Sequence, residues 1–143
     1  MILAIARLIN EYIWLGHVKR YNNFIKFWFP VLVYSGIIFL VSAQSNLKPP
    51  IDVVYNDKAC HLVEYGIWGL LVMRALFNSV SNRNMWMMWI CVVLAAFVYG
   101  LSDEYHQLFV VGRHFDFIDV LFDTLGGFLG AGSYVVFKLK QNR

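Results

Sequence analysis

Four long runs of apolar residues constrain the fold of this 143-residue chain more than any other feature. They cover residues 27–43, 59–77, 85–101 and 117–137, and each is close to the ~20 residues that a helix needs to cross the hydrocarbon core of a bilayer. Charged residues make up only 15% of the chain, well below the roughly 25% of an ordinary soluble domain. The sequence therefore predicts an all-α fold: a small polytopic membrane helix bundle with four transmembrane helices, in one domain over residues 1–143.

The segment of residues 1–26, ahead of the first run, has a different pattern. Arg7, Asn10 and Glu11 are spaced to share one face of an otherwise apolar helix. A helix with one polar stripe suits the membrane–water interface better than a full span. We therefore expect an N-terminal interfacial amphipathic helix before the first transmembrane helix.

Lysine and arginine are distributed unevenly between the two sides of the predicted bundle. Three of them, Lys48, Lys58 and Arg113, fall on one side. The other nine of the 12 fall on the opposite side: Arg7, Lys19, Arg20, Lys26, Arg74, Arg83, Lys138, Lys140 and Arg143. Because cytoplasmic loops carry the excess of basic residues, both termini are predicted to be cytoplasmic. The basic residues form no continuous stripe, so we expect the lipid bilayer as partner and no nucleic acid.

Acidic residues concentrate on the outer side or in the outer halves of the spans. Eight of the nine are found there: Asp52, Asp57, Glu64, Asp103, Glu104, Asp116, Asp119 and Asp123. Acidic residues contribute little to topology, so this segregation needs another cause. Three of the four histidines, His61, His106 and His114, lie with them.

Helical spacing brings these polar residues onto shared faces. Asp57, His61 and Glu64 are four and three residues apart at the start of the second span, and Asp103, His106 and Gln107 are similarly spaced at the end of the third. In the fourth span the face of Asp116, Asp119 and Asp123 continues through Gly126, Gly127 and Gly130. Small residues at that spacing allow close helix packing, which predicts that the acidic stripe faces the bundle interior.

Two interpretations of this constellation stay open. Carboxylates and imidazoles are the groups that hold divalent metal ions and transfer protons, so they indicate a metal or acid/base centre. The same groups also suit an intramembrane hydrogen-bond network that joins the helices. The chain has no compact metal-binding motif, so a divalent metal is compatible with the site but not required, and its identity is open. The candidate catalytic residues are His61, Glu64, Asp103, Glu104 and His106, and the candidate binding residues are Asp57, Lys58, Gln107, Arg113, Asp119 and Asp123.

Two motifs in this order resemble the VanZ-like family of bacterial integral membrane proteins. The first is Asp57-Lys58-x-x-His61 with Glu64-Tyr65, and the second is Asp103-Glu104-x-His106-Gln107-x-Phe109, which leads through Gly112-Arg113 to Asp119, Asp123 and Gly126. The resemblance covers residues 42–130 and marks Asp57, Lys58, His61, Asp103, Glu104, Gln107, Arg113, Asp119 and Gly126 as family positions. Two positions depart from the family pattern: Val111 replaces a common proline, and Asp116 replaces a small hydroxyl residue.

The resemblance implies a role in the cell envelope. The members that give the family its name raise resistance to the glycopeptide antibiotic teicoplanin. It implies a multi-pass protein of the bacterial inner membrane, with an extracytoplasmic polar pocket that binds a lipid headgroup, a lipid-linked molecule or a glycopeptide-like ligand in an accessory role. The alternative is a membrane-embedded hydrolase or transferase that acts on an envelope lipid or a lipid-linked substrate. Whether the protein is an enzyme stays open at this point.

Overall fold

The structure, a computed structural model, describes residues 24–44, 56–81 and 84–141. Within these ranges it contains four helices, each long and apolar enough to cross a membrane: α1 (Phe24–Ser42), α2 (Asn56–Ser79), α3 (Met85–Gln107) and α4 (Phe117–Gln141). The predicted all-α membrane bundle with four spanning helices is confirmed, and the protein is a multi-pass membrane protein. The interfacial helix expected within residues 1–26 lies outside the described residues.

Helices α2 and α3 run further at their polar ends than the apolar runs predict. Helix α3 begins at Met85, as expected, but ends at Gln107 instead of residue 101. The additional residues include Asp103 and Glu104, both of which are buried against other helices. A polar side chain with partners inside the bundle does not need to leave the helix for water, so hydropathy underestimates the length of such a helix.

Local signals explain how the chain enters α3 and α4. The Asn84 side chain caps α3 by accepting a hydrogen bond from the backbone N–H of Met87 at 3.1 Å. The Asp116 carboxylate does the same for α4, since it accepts from the N–H of Ile118 at 2.8 Å. Between these helices Gly112 has a φ of 84°, a left-handed conformation that favours glycine.

Glycine allows α2 and α4 to make the most extensive helix contact of the three helices α2, α3 and α4. A methyl group added at Gly126 would meet the backbone of Leu62 and Gly66, and one at Gly69 would meet the backbone of Gly127. The packing role predicted for the Gly126 to Gly130 stripe is thus confirmed, and the partner helix is α2. This approach brings the start of α2 close to the start of α4.

Helix α1 packs against α2 and α3 through hydrogen bonds to Ser35. Its hydroxyl accepts from Trp68 Nε1 at 2.8 Å, and its backbone carbonyl accepts from the Tyr99 hydroxyl at 2.7 Å. Near the start of α1, Trp28 Nε1 donates to Ser79 Oγ, at the end of α2, at 2.9 Å. Helices α1 and α2 are therefore antiparallel. The ends of α1 and α3 meet the starts of α2 and α4 at one end of the bundle, which we call the polar end.

Apolar side chains cover the outside of the bundle. Leu32, Leu94 and Leu129 expose between 51% and 67% of their surface. A helix bundle that is apolar outside and polar within is typical of a protein surrounded by lipid.

Candidate functional site

Nine polar residues from α2, α3 and the start of α4 gather at the polar end, and we call them the polar cluster. They are Asp57, Lys58, His61, Asp103, Glu104, Gln107, Asp116, Asp119 and Asp123. Asp57 is exposed, and Lys58 and Asp116 are half-buried, so these three form the mouth of the cluster. Asp123 and Glu104 have no exposed surface and form its floor. The polar cluster thus extends from an open surface into a dry interior.

Lys58 joins two carboxylates at the mouth. Its ammonium group donates to Asp119 Oδ1 at 2.7 Å and to Asp116 Oδ2 at 3.1 Å. The pKa of Asp116, which precedes α4, is lowered because its carboxylate accepts hydrogen bonds from the backbone N–H of Ile118 and from Lys58. The cation that neutralises these carboxylates is therefore Lys58. The ammonium is occupied, which limits its use in holding a phosphate.

His61 and Asp123 form a buried imidazole–carboxylate pair. The distance from His61 Nδ1 to Asp123 Oδ1 is 2.9 Å. The other ring nitrogen, Nε2, lies 3.9 Å from Asp119 Oδ2, which is too long for a hydrogen bond. Space for the Asp123 carboxylate is provided by Gly100, because a methyl group there would lie 2.7 Å from Asp123 Oδ2.

Helix α3 adds two carboxylates, one of which binds the loop before α4. Glu104 Oε2 accepts a hydrogen bond from the backbone N–H of Asp116 at 2.8 Å. Asp103 Oδ2 accepts from Gln107 Nε2 at 3.4 Å, one turn along the same helix. The predicted convergence of polar residues from three helices is therefore observed for these residues.

Several buried oxygens in the floor have no hydrogen-bond partner among the described residues. They are Asp103 Oδ1, Glu104 Oε1, Asp123 Oδ2 and the Tyr65 hydroxyl. A buried polar atom without a partner costs about 1–3 kcal/mol, and in native proteins it is often explained by a bound water or ion, or by a catalytic role. The floor therefore contains buried acceptor oxygens that can bind a water or a polar group of a ligand.

Tyr65 also lies at the floor of the cluster, although the sequence analysis assigned it no role. Its side chain has no exposed surface, and its ring lies 5.7 Å from that of Tyr99. It follows His61 by four residues on the same helical face, and that spacing is the signal that identifies it.

Three predicted site residues lie apart from these hydrogen bonds. The side chains of Glu64 and Arg113 are half-buried, and neither forms a hydrogen bond or an ion pair within the described part of the chain. The ring of His106 stacks on Phe39 of α1, with centroids 4.1 Å apart. Within the described residues, the cation that contacts the carboxylates at the mouth is Lys58 and not Arg113.

Three residues of the polar cluster have the composition of a metal site. Asp57, His61 and Asp119 each place one donor atom within 4.8 Å of the other two. Imidazole and carboxylate are ordinary ligands of divalent transition metals. Their arrangement fits an ion at the mouth of the cluster.

Four spanning helices around an acidic and imidazole-containing cluster define a class: small polytopic membrane proteins with a polar site inside the bundle. The chain belongs to the VanZ/LLP1 family, whose profile matches residues 9–138. The resemblance drawn from the two motifs is thereby confirmed.

A comparison with curated proteins finds a relative in a eukaryote. An uncharacterised protein of the fission yeast Schizosaccharomyces pombe is 27% identical over 96 residues, which cover 67% of this chain and 57% of the yeast protein. The match thus spans little more than half of that relative. No solved structure matches the chain. Because this relative is eukaryotic, the location of the chain in a bacterial inner membrane stays a prediction.

Proposed function

We propose that the protein is a membrane-embedded hydrolase or transferase that acts on a lipid or lipid-linked substrate at the polar end. The observation that carries this proposal is the His61–Asp123 pair, in which a carboxylate with no exposed surface holds an imidazole at 2.9 Å. A carboxylate in this position fixes the tautomer and the orientation of the ring. Nε2 is then left facing Asp119 and the mouth, where a nucleophile can be activated.

The reaction class follows from this arrangement. In hydrolysis, the oxygen of an activated water attacks the phosphorus or carbonyl carbon of the substrate, and the bond to the leaving oxygen breaks. The water proton passes to His61 Nε2, and the protonated ring then gives a proton to the leaving oxygen. In transfer, a hydroxyl group of an acceptor replaces the water. The apolar surface of the bundle suits a substrate whose tail stays in the bilayer.

We expect the reaction to be extracytoplasmic, because of the distribution of basic residues. The basic residues Lys26, Arg74, Lys138 and Lys140 lie at the end of the helices opposite to the polar cluster. The rule that cytoplasmic ends carry the basic excess puts the cluster on the outer side.

Turnover by the purified full-length chain in lipid nanodiscs tests this function. Three probes cover the bond types: a polyprenyl diphosphate, phosphatidylglycerol and a polyprenyl-linked disaccharide, with products identified by mass spectrometry. We expect one probe to be converted, and His61→Ala and Asp123→Asn to reduce its turnover at least ~100-fold, the usual contribution of acid–base groups. Lys140→Gln, at the opposite end, is the control and keeps full activity. Equal turnover by His61→Ala and the wild type, or no conversion of any probe, would reject the proposal.

A specific observation favours a second candidate, an accessory protein that binds a headgroup or a glycopeptide-like ligand. Arg113 follows Gly112 in the connection between α3 and α4, and its side chain has no ion pair within the described ranges. A free guanidinium is well suited to hold a phosphate or carboxylate in two hydrogen bonds. In a teicoplanin-sensitive bacterium that expresses the chain, the binding function predicts resistance that Arg113→Gln removes and His61→Ala retains. Resistance lost in His61→Ala supports the enzyme instead.

A further inference from the structure

We infer that Asp57, His61 and Asp119 form a binding site for a divalent transition-metal ion at the mouth of the polar cluster. The inference rests on the proposed function and deepens it by naming a cofactor for the same site: with Nε2 of His61 bound to the ion, the ion and not the free ring would activate the water. It is tested by ion binding and not by turnover. It starts from three donor atoms within 4.8 Å of one another. Ligands of an ion bound at about 2.0–2.2 Å lie roughly 3–4 Å apart, so small side-chain movements complete the site.

The strongest argument is the environment of His61 Nε2. The side chain is 8% exposed, and Nδ1 is held by Asp123. When the ring is neutral and Nδ1 donates its proton to Asp123, Nε2 is a lone-pair acceptor, and an ion that binds there displaces any proton that Nε2 carries. It faces Asp119 Oδ2, a second acceptor, at 3.9 Å, which is too long for a shared proton. A metal ion accepts lone pairs from both groups at about that separation.

The His61–Asp123 hydrogen bond is itself typical of metal sites. A histidine that binds a metal almost always donates its other ring N–H to a carboxylate, carbonyl or water, which fixes the ring and raises its basicity. Asp123 has no exposed surface and is positioned by the space at Gly100. Asp123 therefore holds the ring with Nε2 directed toward Asp119, in a residue that is only 8% exposed.

Lys58 limits the affinity of the site without blocking it. Its ammonium lies 2.7 Å from Asp119 Oδ1, while Oδ2 of the same carboxylate faces His61. Each oxygen of Asp119 can therefore serve one cation. Like charges repel at this distance, so the ammonium weakens ion binding.

The ligand set indicates which ion binds. One imidazole and two carboxylates favour Zn²⁺ or Mn²⁺ over the Ca²⁺ and Mg²⁺ that prefer oxygen alone. Three protein ligands leave a coordination position open for water, which is the arrangement of catalytic sites. The exposure of Asp57 provides the route of entry.

Ion titration of the full-length chain, stripped with a chelator and held in nanodiscs, tests the inference. The probes are Zn²⁺, measured by competition with a chromophoric chelator, and Mn²⁺, measured by electron paramagnetic resonance. We expect one ion per chain and no binding by His61→Ala. Asp123→Asn should weaken binding 10–100-fold, the usual effect of losing such a supporting carboxylate. Asp57→Asn, an exposed substitution that should leave folding intact, should also weaken it.

Two controls and one reversed effect make the test specific. Cys60→Ser, on the same helix, and Lys140→Gln, at the opposite end of the bundle, change side chains outside the ligand set, and both should bind like the wild type. Lys58→Met should bind the ion more tightly, because the competing ammonium is gone. The inference would be overturned if neither ion binds stoichiometrically. It would also be overturned if His61→Ala and Asp57→Asn bind the ion as tightly as the wild type does. Turnover of a probe together with no binding of either ion would reject the metal site and keep the hydrolase, whereas ion binding without turnover of any probe would reject the hydrolase and keep the metal site.

Discussion

Asp119 shows how a carboxylate is accommodated near a membrane. An acidic residue at the centre of a spanning helix costs about 2.5–3.5 kcal/mol on insertion scales. Asp119 is buried, with only 6% of its surface exposed. Its hydrogen bond to Lys58 at 2.7 Å provides an opposite charge. Because Lys58 also contacts Asp116, one ammonium links the start of α2 to the start of α4.

Asp116 predicts a pH dependence of definite sign. Its pKa is lowered by the Ile118 backbone N–H and by Lys58. Such a group stabilises the fold above its unfolded pKa of about 3.9, and that stabilisation is lost as the pH falls through the folded pKa. We expect Asp116→Asn to unfold at a lower temperature than the wild type at neutral pH, and the difference to shrink in acid. Thermal unfolding in detergent measures this, and an equal difference at both pH values would contradict it.

Gly100 predicts a second effect on the cluster. A methyl group at this position would lie 2.7 Å from Asp123 Oδ2 and 3.0 Å from its Cβ, so Gly100→Ala must displace the Asp123 side chain. We expect the free energy of unfolding to fall by about 1–3 kcal/mol and the His61–Asp123 hydrogen bond to weaken. Denaturant unfolding and the chemical shift of the His61 imidazole report these changes. Gly36→Ala, where no atom lies within 4 Å, is the control.

The contact between α2 and α4 positions the polar cluster. Gly66 and Gly69 of α2 meet Gly126, Gly127 and Gly130 of α4, backbone against backbone. Without hydrophobic attraction between helices in lipid, such close van der Waals packing is what joins them. It also brings His61 to within 2.9 Å of Asp123, two residues on different helices.

Gly130 is the position where this contact is tightest. A methyl group there would overlap the carbonyl oxygen of Gly66, which is backbone and cannot rotate away. We expect Gly130→Ala to separate the helices and to lower the free energy of unfolding by about 1–3 kcal/mol. Gly132→Ala on the same helix meets only Trp89 side-chain atoms, the nearest at 3.7 Å, and should have little effect. Equal stability of the two variants would show that the contact contributes nothing.

The whole bundle separates its charges along its length. Every acidic residue that the structure describes lies toward the polar end, whereas Arg74, Lys138 and Lys140 lie at the opposite end. Lys138 and Lys140, in the last turn of α4, are also favoured by the helix dipole. The distribution therefore serves both helix stability and membrane orientation.

Thiol labelling in intact cells tests the orientation. Cys60 is exposed near the start of α2, and Lys140 is exposed at the end of α4. With both termini cytoplasmic, a membrane-impermeant maleimide should label Cys60 from outside. In a Lys140→Cys, Cys60→Ser, Cys91→Ser variant it should label the new thiol only after permeabilisation. The reverse pattern would place the polar end in the cytoplasm.

The helices and their order could be read from the amino-acid sequence because lipid imposes a local rule. Each backbone polar group in the bilayer must be satisfied within its own segment, so a sufficiently long apolar run becomes a helix whatever its neighbours are. The helical period then indicates which polar residues share a face of one helix, as Asp119 and Asp123 do. Their association with His61 was likewise foreseeable as a gathering at one end.

The individual partners could not be foreseen, because they depend on distances between helices. Helical spacing treats Lys58 and Arg113 as equal candidates for the carboxylates, and only the close packing of Gly126 and Gly130 against α2 places Lys58 within 2.7 Å of Asp119. In the same way, packing buried Asp123 against Gly100 and paired it with His61. A contact between helices is set by how closely their backbones approach, and that distance is a property of the assembled bundle.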